Sequence, residues 1–147
     1  MNRERNPHSD TTRNLAIPSD PAEARRVQDE IERLLQAVSL FTDHEVFGIK
    51  LAIEEALVNA IKHGNQMDRA KSVHIRYTLR AEWFEIDIAD EGPGFDPADV
   101  PDPTAVENLE RPCGRGLMLM KHYMSEVVFG AEGNSVRMSK VARNGQA

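Results

Sequence analysis

The apolar residues of this chain change their spacing partway along it, and that change constrains the fold more than any other feature. From Thr42 to about His63 they recur at a helical period, so that Ile49, Ile53, Ala56, Leu57 and Ala60 share one face. From Val73 the period drops to two. Val73, Ile75, Tyr77 and Leu79 alternate with polar residues, as do Phe84, Ile86 and Ile88, on either side of Arg80-Ala81-Glu82. This is the pattern of a β-hairpin with one buried face. A chain so patterned combines helices with a sheet built from neighbouring strands.

The flanking segments extend the same reading. Residues 1–12 are polar and aperiodic and are expected to form a disordered tail, leaving 13–147 as a single domain. Leu15 to Ile17 suits a short edge strand. Ser19-Asp20-Pro21-Ala22-Glu23 is a helix start, with Asp20 as cap, Pro21 at the first helical position and Glu23 at capping-box spacing. Val27, Ile31, Leu34, Leu35 and Val38 then form one apolar stripe. Thr42-Asp43-His44-Glu45 repeats the capping-box pattern for a second helix, which should stop at Gly64. On that helix Glu55 and Asn59 are expected one turn apart, roughly opposite the apolar stripe, with Lys62 and His63 continuing their line. A helix over about Arg115 to Met124 and a strand pair, Val127–Phe129 with Ser135–Met138, close the chain.

Length and composition narrow the class. At 147 residues, 40% apolar and 29% charged, the chain suits one ordinary soluble domain able to bury a core without staples. Cys113 is the only cysteine, so no internal disulfide forms. The N-terminus lacks the apolar stretch of a secretory signal, and no run reaches the roughly 20 apolar residues of a membrane span. A cytoplasmic protein without membrane contact is expected. The net charge of −6 argues against a nucleic-acid binder. Ten acidic residues and no Lys or Arg lie between Ala81 and Glu110, whereas six Lys or Arg follow from Arg111 against only Glu126 and Glu132. That asymmetry fits either a solvated acidic surface or a site for a metal-bound polyphosphate.

Three segments carry the chemistry: Glu55-Ala-Leu-Val-Asn59, Asp90-Glu-Gly92-Pro-Gly94-Phe95, and Gly114-Arg115-Gly116-Leu117. Each alone has a plain explanation: a solvated helix face, a tight turn, a loop-to-helix junction. In combination they fit a phosphate site. Glycines admit backbone N–H groups to phosphate oxygens, and a helix N-terminus adds unpaired donors, which suits Gly114 and Gly116. Magnesium takes oxygen ligands and keeps waters, so the Asn59 amide is a candidate ligand. A carboxylate one turn away, Glu55, is positioned as a general base. Asp90, at the end of the apolar strand Phe84–Ala89, can accept a hydrogen bond from an exocyclic amine or cap its own turn. Both readings stand. The proline-rich stretch from Gly92 to Gly114 has the length of a lid or binding loop.

Familiar alternatives fail on spacing. No P-loop pattern is present, and Gly114-Arg-Gly116 follows a loop rather than a strand, against a dinucleotide fold. No Cys/His cluster has metal-ligand spacing. His8, His44, His74 and His122 read as ordinary surface or core histidines. His63, two turns after Glu55, is positioned to line a pocket.

In these three boxes the chain resembles the GHKL (Bergerat-fold) ATPases and kinases. Glu55-Ala-Leu-Val-Asn59-Ala-Ile-Lys-His63-Gly64 resembles the family's N box, and the Asp90 and Gly114 segments resemble its two glycine boxes. The resemblance runs from about Leu15 to Lys140 and is strongest toward the bacterial anti-sigma factor serine kinases of sporulation and general stress response. It implies a two-layer α/β sandwich, a mixed sheet with helices on one face, and Trp83 on the solvent side of the sheet. It implies ATP and Mg²⁺ as ligands, Asn59 on the metal, Glu55 as base and Asp90 on adenine. Gly92, Gly94, Gly114 and Gly116 would shape the pocket beside His63 and Leu117. Ser135 stands where the family often has threonine, and Arg115 is not the family's usual residue between those glycines. The implied partners are an anti-sigma factor antagonist as substrate, a sigma factor, and a second copy in a homodimer.

Two other functions fit the same residues: an ATP/ADP-gated binding module without phosphotransfer, and the ATP-binding domain of a histidine kinase system. The latter lacks support before Thr42, where only one helix is expected instead of a paired-helix dimerisation region.

Overall fold

The computed structural model describes residues 10–93 and 112–142, apart from the side chains of 10 and 112–115. Strand β1 (Asp10–Pro18) leads into helices α1 (Pro21–Val38) and α2 (Asp43–Val58). A π-helical turn, Asn59–Gly64, continues α2. Strands β2 (Ser72–Arg80) and β3 (Trp83–Ala89), helix α3 (Pro112–Tyr123), and strands β4 (Glu126–Phe129) and β5 (Ser135–Val141) follow.

The strands form one sheet in the order β1-β2-β3-β5-β4. Every pairing in it is antiparallel, which corrects the expected mixed sheet. The reason lies in the connections. Two helices, not one, join β1 to β2 and return the chain in the opposite sense. The single crossover through α3 does leave β4 running parallel to β3, but β5 is inserted between them, so no parallel ladder forms. Strand β1 is also longer than the predicted Leu15–Ile17. It pairs with β2 from Asp10↔Arg80 to Pro18↔Ser72, so residues 10–12 belong to the sheet and not to a tail.

One face of the sheet carries the core. Val73, Ile75, Leu79, Phe84, Ile86, Ile88 and Met138 point into it and meet Ile31, Leu35, Ile49, Ile53 and Leu57 of the helices. Burying each such side chain contributes roughly 1.5–3 kcal/mol. Tyr77 brings a polar group into this layer. Its hydroxyl donates to Glu30 on α1, and Arg13 of β1 lies 2.5 Å from the same carboxylate. The opposite face presents alternate residues to solvent, including His74, Arg76 and Arg137, whose Nε is 2.9 Å from Asp87. Trp83 belongs to that face by parity, with the Arg80 guanidinium 5.7 Å from its ring centroid.

The helix starts follow their caps. Thr42 and Glu45 form a reciprocal capping box at 3.1 and 2.9 Å. At α1 the Asp20 side chain accepts from the Ala22 N–H at 3.0 Å and pairs with Arg69 at 2.7 Å. The expected capping-box role of Glu23 is not the arrangement found; its carboxylate lies toward Arg26, 3.7 Å away. Helix α3 begins at Pro112, earlier than the predicted Arg115, so Gly114 as well as Gly116 lies inside its first turns.

Candidate nucleotide-binding site

The end of α2 sets up the site. Asn59 was expected opposite the apolar stripe, yet it lines a cavity with two stripe residues, Ala56 and Ala60. The geometry explains this: three residues further along a helix is a rotation that ends about 60° short of a full turn, so Asn59 borders Ala56. From Asn59 onward the backbone widens. The Asn59 N–H still bonds as in an ordinary helix end, shared between the Glu55 and Ala56 carbonyls, but by Asn65 the N–H reaches back five residues to Ala60 at 2.8 Å. Such π-turns are frequent at functional sites.

The cavity has a volume of about 120 Å³. Its helical wall is Ala56, Asn59, Ala60, His63 and Gly64. Ile88, Asp90 and Pro93 come from β3 and its exit, Leu117 and Met120 from α3, and Phe129 and Gly133 through Val136 from the β4–β5 region. The lining is mostly apolar, with a few polar groups converging on it, as in small-molecule sites generally.

Among the described residues Asp90 is the only carboxylate on that lining. Its Oδ1 accepts the Gly92 N–H at 2.8 Å, and its own N–H donates to the Asn134 carbonyl at 2.9 Å. The two readings of Asp90 are thus compatible: it caps its turn and faces the cavity. Burial raises its pKa above the usual carboxylate value, outweighing the Gly92 hydrogen bond and the charge of Lys71.

The glycines here serve close approach. A Cβ on Gly64 would lie 2.2 Å from the Asp90 carboxyl, and one on Gly92 would lie 2.0 Å from the Gly64 carbonyl oxygen. Neither has a positive φ; among the described residues Gly133 is the glycine that does. Gly64, expected as a helix stop, is the clearance that lets β3 deliver Asp90 against α2. Gly116 plays the same part from above. A Cβ there would lie 3.1 Å from both Asn59 Nδ2 and Glu55 Oε1, so the first turns of α3 sit directly over that pair.

Of the sequence-derived candidates, Asn59, His63, Asp90, Leu117 and Ser135 line the cavity, while Glu55 and Gly116 meet at its edge and Gly92 backs Asp90. The backbone of Gly114 and Arg115 lies at the start of α3. Gly94 and nearly all of the proline-rich segment are outside the described residues. Sequence reasoning missed Met120, Phe129 and Asn134 as lining residues, and Asn65 as a support. The first two carry the same apolar signal as core, and Asn134 reads only as part of a turn.

Beneath Gly116, the Asn59 amide and the Glu55 carboxylate are oxygen-bearing groups on adjacent turns. That set fits Mg²⁺, which is held by one or two protein ligands together with phosphates and water. Among the described residues no helix is long and apolar enough to cross a membrane.

The chain also has known relatives. Residues 17–140 match the histidine kinase-like ATPase domain. The chain is 33% identical over 107 residues to serine-protein kinase RsbW of Bacillus subtilis, covering 68% of this chain and 67% of that protein. It is 36% identical over 105 residues to the anti-sigma F factor of Oceanobacillus iheyensis, covering 67% and 71%. Serine/threonine-protein kinase BtrW of Bordetella bronchiseptica is 30% identical over 80 residues, 53% of this chain and 56% of that one. With the matched region covering the helices, strands β2 to β5 almost entirely and the cavity between them, this chain belongs to the histidine kinase-like ATPase domain family.

Proposed function

We propose that the protein is an ATP-dependent protein-serine/threonine kinase that phosphorylates an anti-sigma factor antagonist and also sequesters a sigma factor. The observation that carries the reading is the meeting of Glu55 and Asn59 beneath Gly116, at the mouth of an apolar slot with Asp90 lining it. The names of the relatives, two kinases and an anti-sigma factor, support the same reading.

Asp90 accepts the exocyclic amine of adenine while the apolar walls cover the ring. Gly92 shapes the pocket behind Asp90, Gly114 and Gly116 admit the phosphates, and the start of α3 directs its unpaired N–H groups toward them. Asn59 is the residue that would hold Mg²⁺, which when bound neutralises phosphate charge. Glu55 takes the proton of the incoming serine hydroxyl. The serine oxygen then bonds to the γ-phosphorus, the bond from that phosphorus to the bridging oxygen breaks, and ADP leaves with the electron pair. His63, Leu117 and Ser135 line the slot. A role for Arg115 at phosphate or at a partner belongs to this reading, as do Gly94, a homodimeric assembly and a cytoplasmic setting.

Glu55→Ala is the test. With radiolabelled ATP and candidate antagonists, the wild type is expected to yield phosphoserine, and the variant to lose at least 100-fold in rate while binding ATP normally. No phosphoserine from a wild type that demonstrably binds ATP would contradict the kinase reading. It would favour the nucleotide-gated module instead.

A further inference from the structure

The clearest built feature outside the cavity is a buried asparagine. Asn65, immediately after the π-turn, is fully buried. Its Nδ2 donates to Ser19 Oγ at 2.9 Å and to the Ser72 carbonyl at 3.0 Å. Its Oδ1 accepts the Glu91 N–H at 2.7 Å. Ser19 in turn donates to the Lys71 carbonyl at 2.8 Å. One side chain therefore joins the β1–α1 junction, the end of the π-turn, the start of β2 and the residue next to Asp90.

The bond to Glu91 is the functional one. Asp90 and Gly92 flank Glu91, and both are wedged against Gly64, the residue before Asn65. Gly64 supplies the room for this loop and Asn65 supplies its anchor. Asn65 is the buried partner of this bond, and a buried amide has few geometries that satisfy all of its own groups. The loop is thus held by the π-turn as well as by the sheet, where Asp90 N–H bonds to the Asn134 carbonyl and the Glu91 carboxylate lies 2.8 Å from His74 Nε2.

We infer that Asn65 is a positioning residue for nucleotide binding, fixing the Asp90–Gly92 loop through the Glu91 N–H. This rests on the nucleotide-binding reading above. A merely structural role predicts that affinity falls only as stability falls, and Ser19 separates the two cases. Ser19→Ala removes one of Asn65's partners and the bond to Lys71 but leaves the Glu91 bond in place.

ATP dissociation constants and melting temperatures should be measured for wild type, Asn65→Ala, Asn65→Asp and Ser19→Ala, at a temperature where each is folded. Asn65→Ala is expected to weaken ATP at least tenfold. Asn65→Asp keeps an acceptor for the Glu91 N–H but loses both Nδ2 bonds, and is expected to bind ATP more tightly than Asn65→Ala even where it melts lower. Ser19→Ala is expected to lower the melting temperature yet bind within about twofold of wild type. Wild-type affinity in Asn65→Ala, or affinities that follow melting temperature across all the variants, would overturn the inference. Should an Asn65 variant fail to fold, amide exchange on the nucleotide-free wild type decides the matter. The Glu91 N–H is expected to be as protected as the β2–β3 ladder, and exchange at the rate of an open loop would overturn the anchor. Because this reading needs no ATP, it separates failure of the anchor from failure of nucleotide binding itself.

Discussion

At Asp90, burial lifts the carboxyl pKa against the opposing pull of the Gly92 N–H and of Lys71, so the ionised side chain opposes folding in the nucleotide-free protein. A raised pKa in the folded state contributes stability at low pH that is lost as pH rises through it. Asn at this position cannot ionise. Asp90→Asn is therefore expected to gain stability relative to wild type as pH rises through the raised value, while losing the melting-temperature increase given by ATP. Thermal melts at acidic and neutral pH, with and without nucleotide, check both halves. Gly64→Ala is the companion case. Its methyl group would meet the Asp90 carboxyl at 2.2 Å, so a loss of about 1–3 kcal/mol in denaturant unfolding is expected together with weakened ATP binding. The sequence placed Asp90 in the site but gave Gly64 only as a helix stop, because clearance against a distant strand leaves no local signature.

Elements are joined here by a few polar contacts as well as by the core. Tyr77 of β2, Glu30 of α1 and Arg13 of β1 meet in one cluster, and burial together with the Glu30 hydrogen bond pushes the Tyr77 hydroxyl up to about 12. That interaction stabilises the fold below the ordinary tyrosine value of 10.0 and is lost as pH rises through about 12. Tyr77→Phe is expected to cost about 1–2 kcal/mol at neutral pH, a gap that narrows across that window in urea unfolding. After the π-turn, Gln66 and Met67 both have positive φ, 54° and 61°. Gln66→Gly relieves one left-handed conformation and is expected to stabilise by up to about 1 kcal/mol, read as a shifted denaturant midpoint. Elements of this kind were legible where a local rule governs them: the Thr42 box, the α2 stripe and the hairpin all follow from spacing. Strand β1 beyond Leu15 was not, because Asp10 to Asn14 are polar and become a strand only by pairing with β2.

For the molecule as a whole, the three short boxes are remote in sequence and meet in one place because antiparallel pairing of β3 with β5 carries Asp90 to Asn134 and Ser135, while α3 crosses over Glu55 and Asn59. Their order along the chain made the site legible, and the family match over residues 17–140 covers all three boxes. The sheet's antiparallel sense was not legible, since it depends on where β5 inserts. The central claim is that this convergence is a pocket for Mg-ATP with Asp90 as its reader of the base. Calorimetric titration of Mg-ATP into wild type and into Asp90→Asn tests it most directly. The account predicts saturable heat for the wild type and at least a 100-fold weaker isotherm for the variant; no heat from the wild type, or equal binding by both, would contradict it.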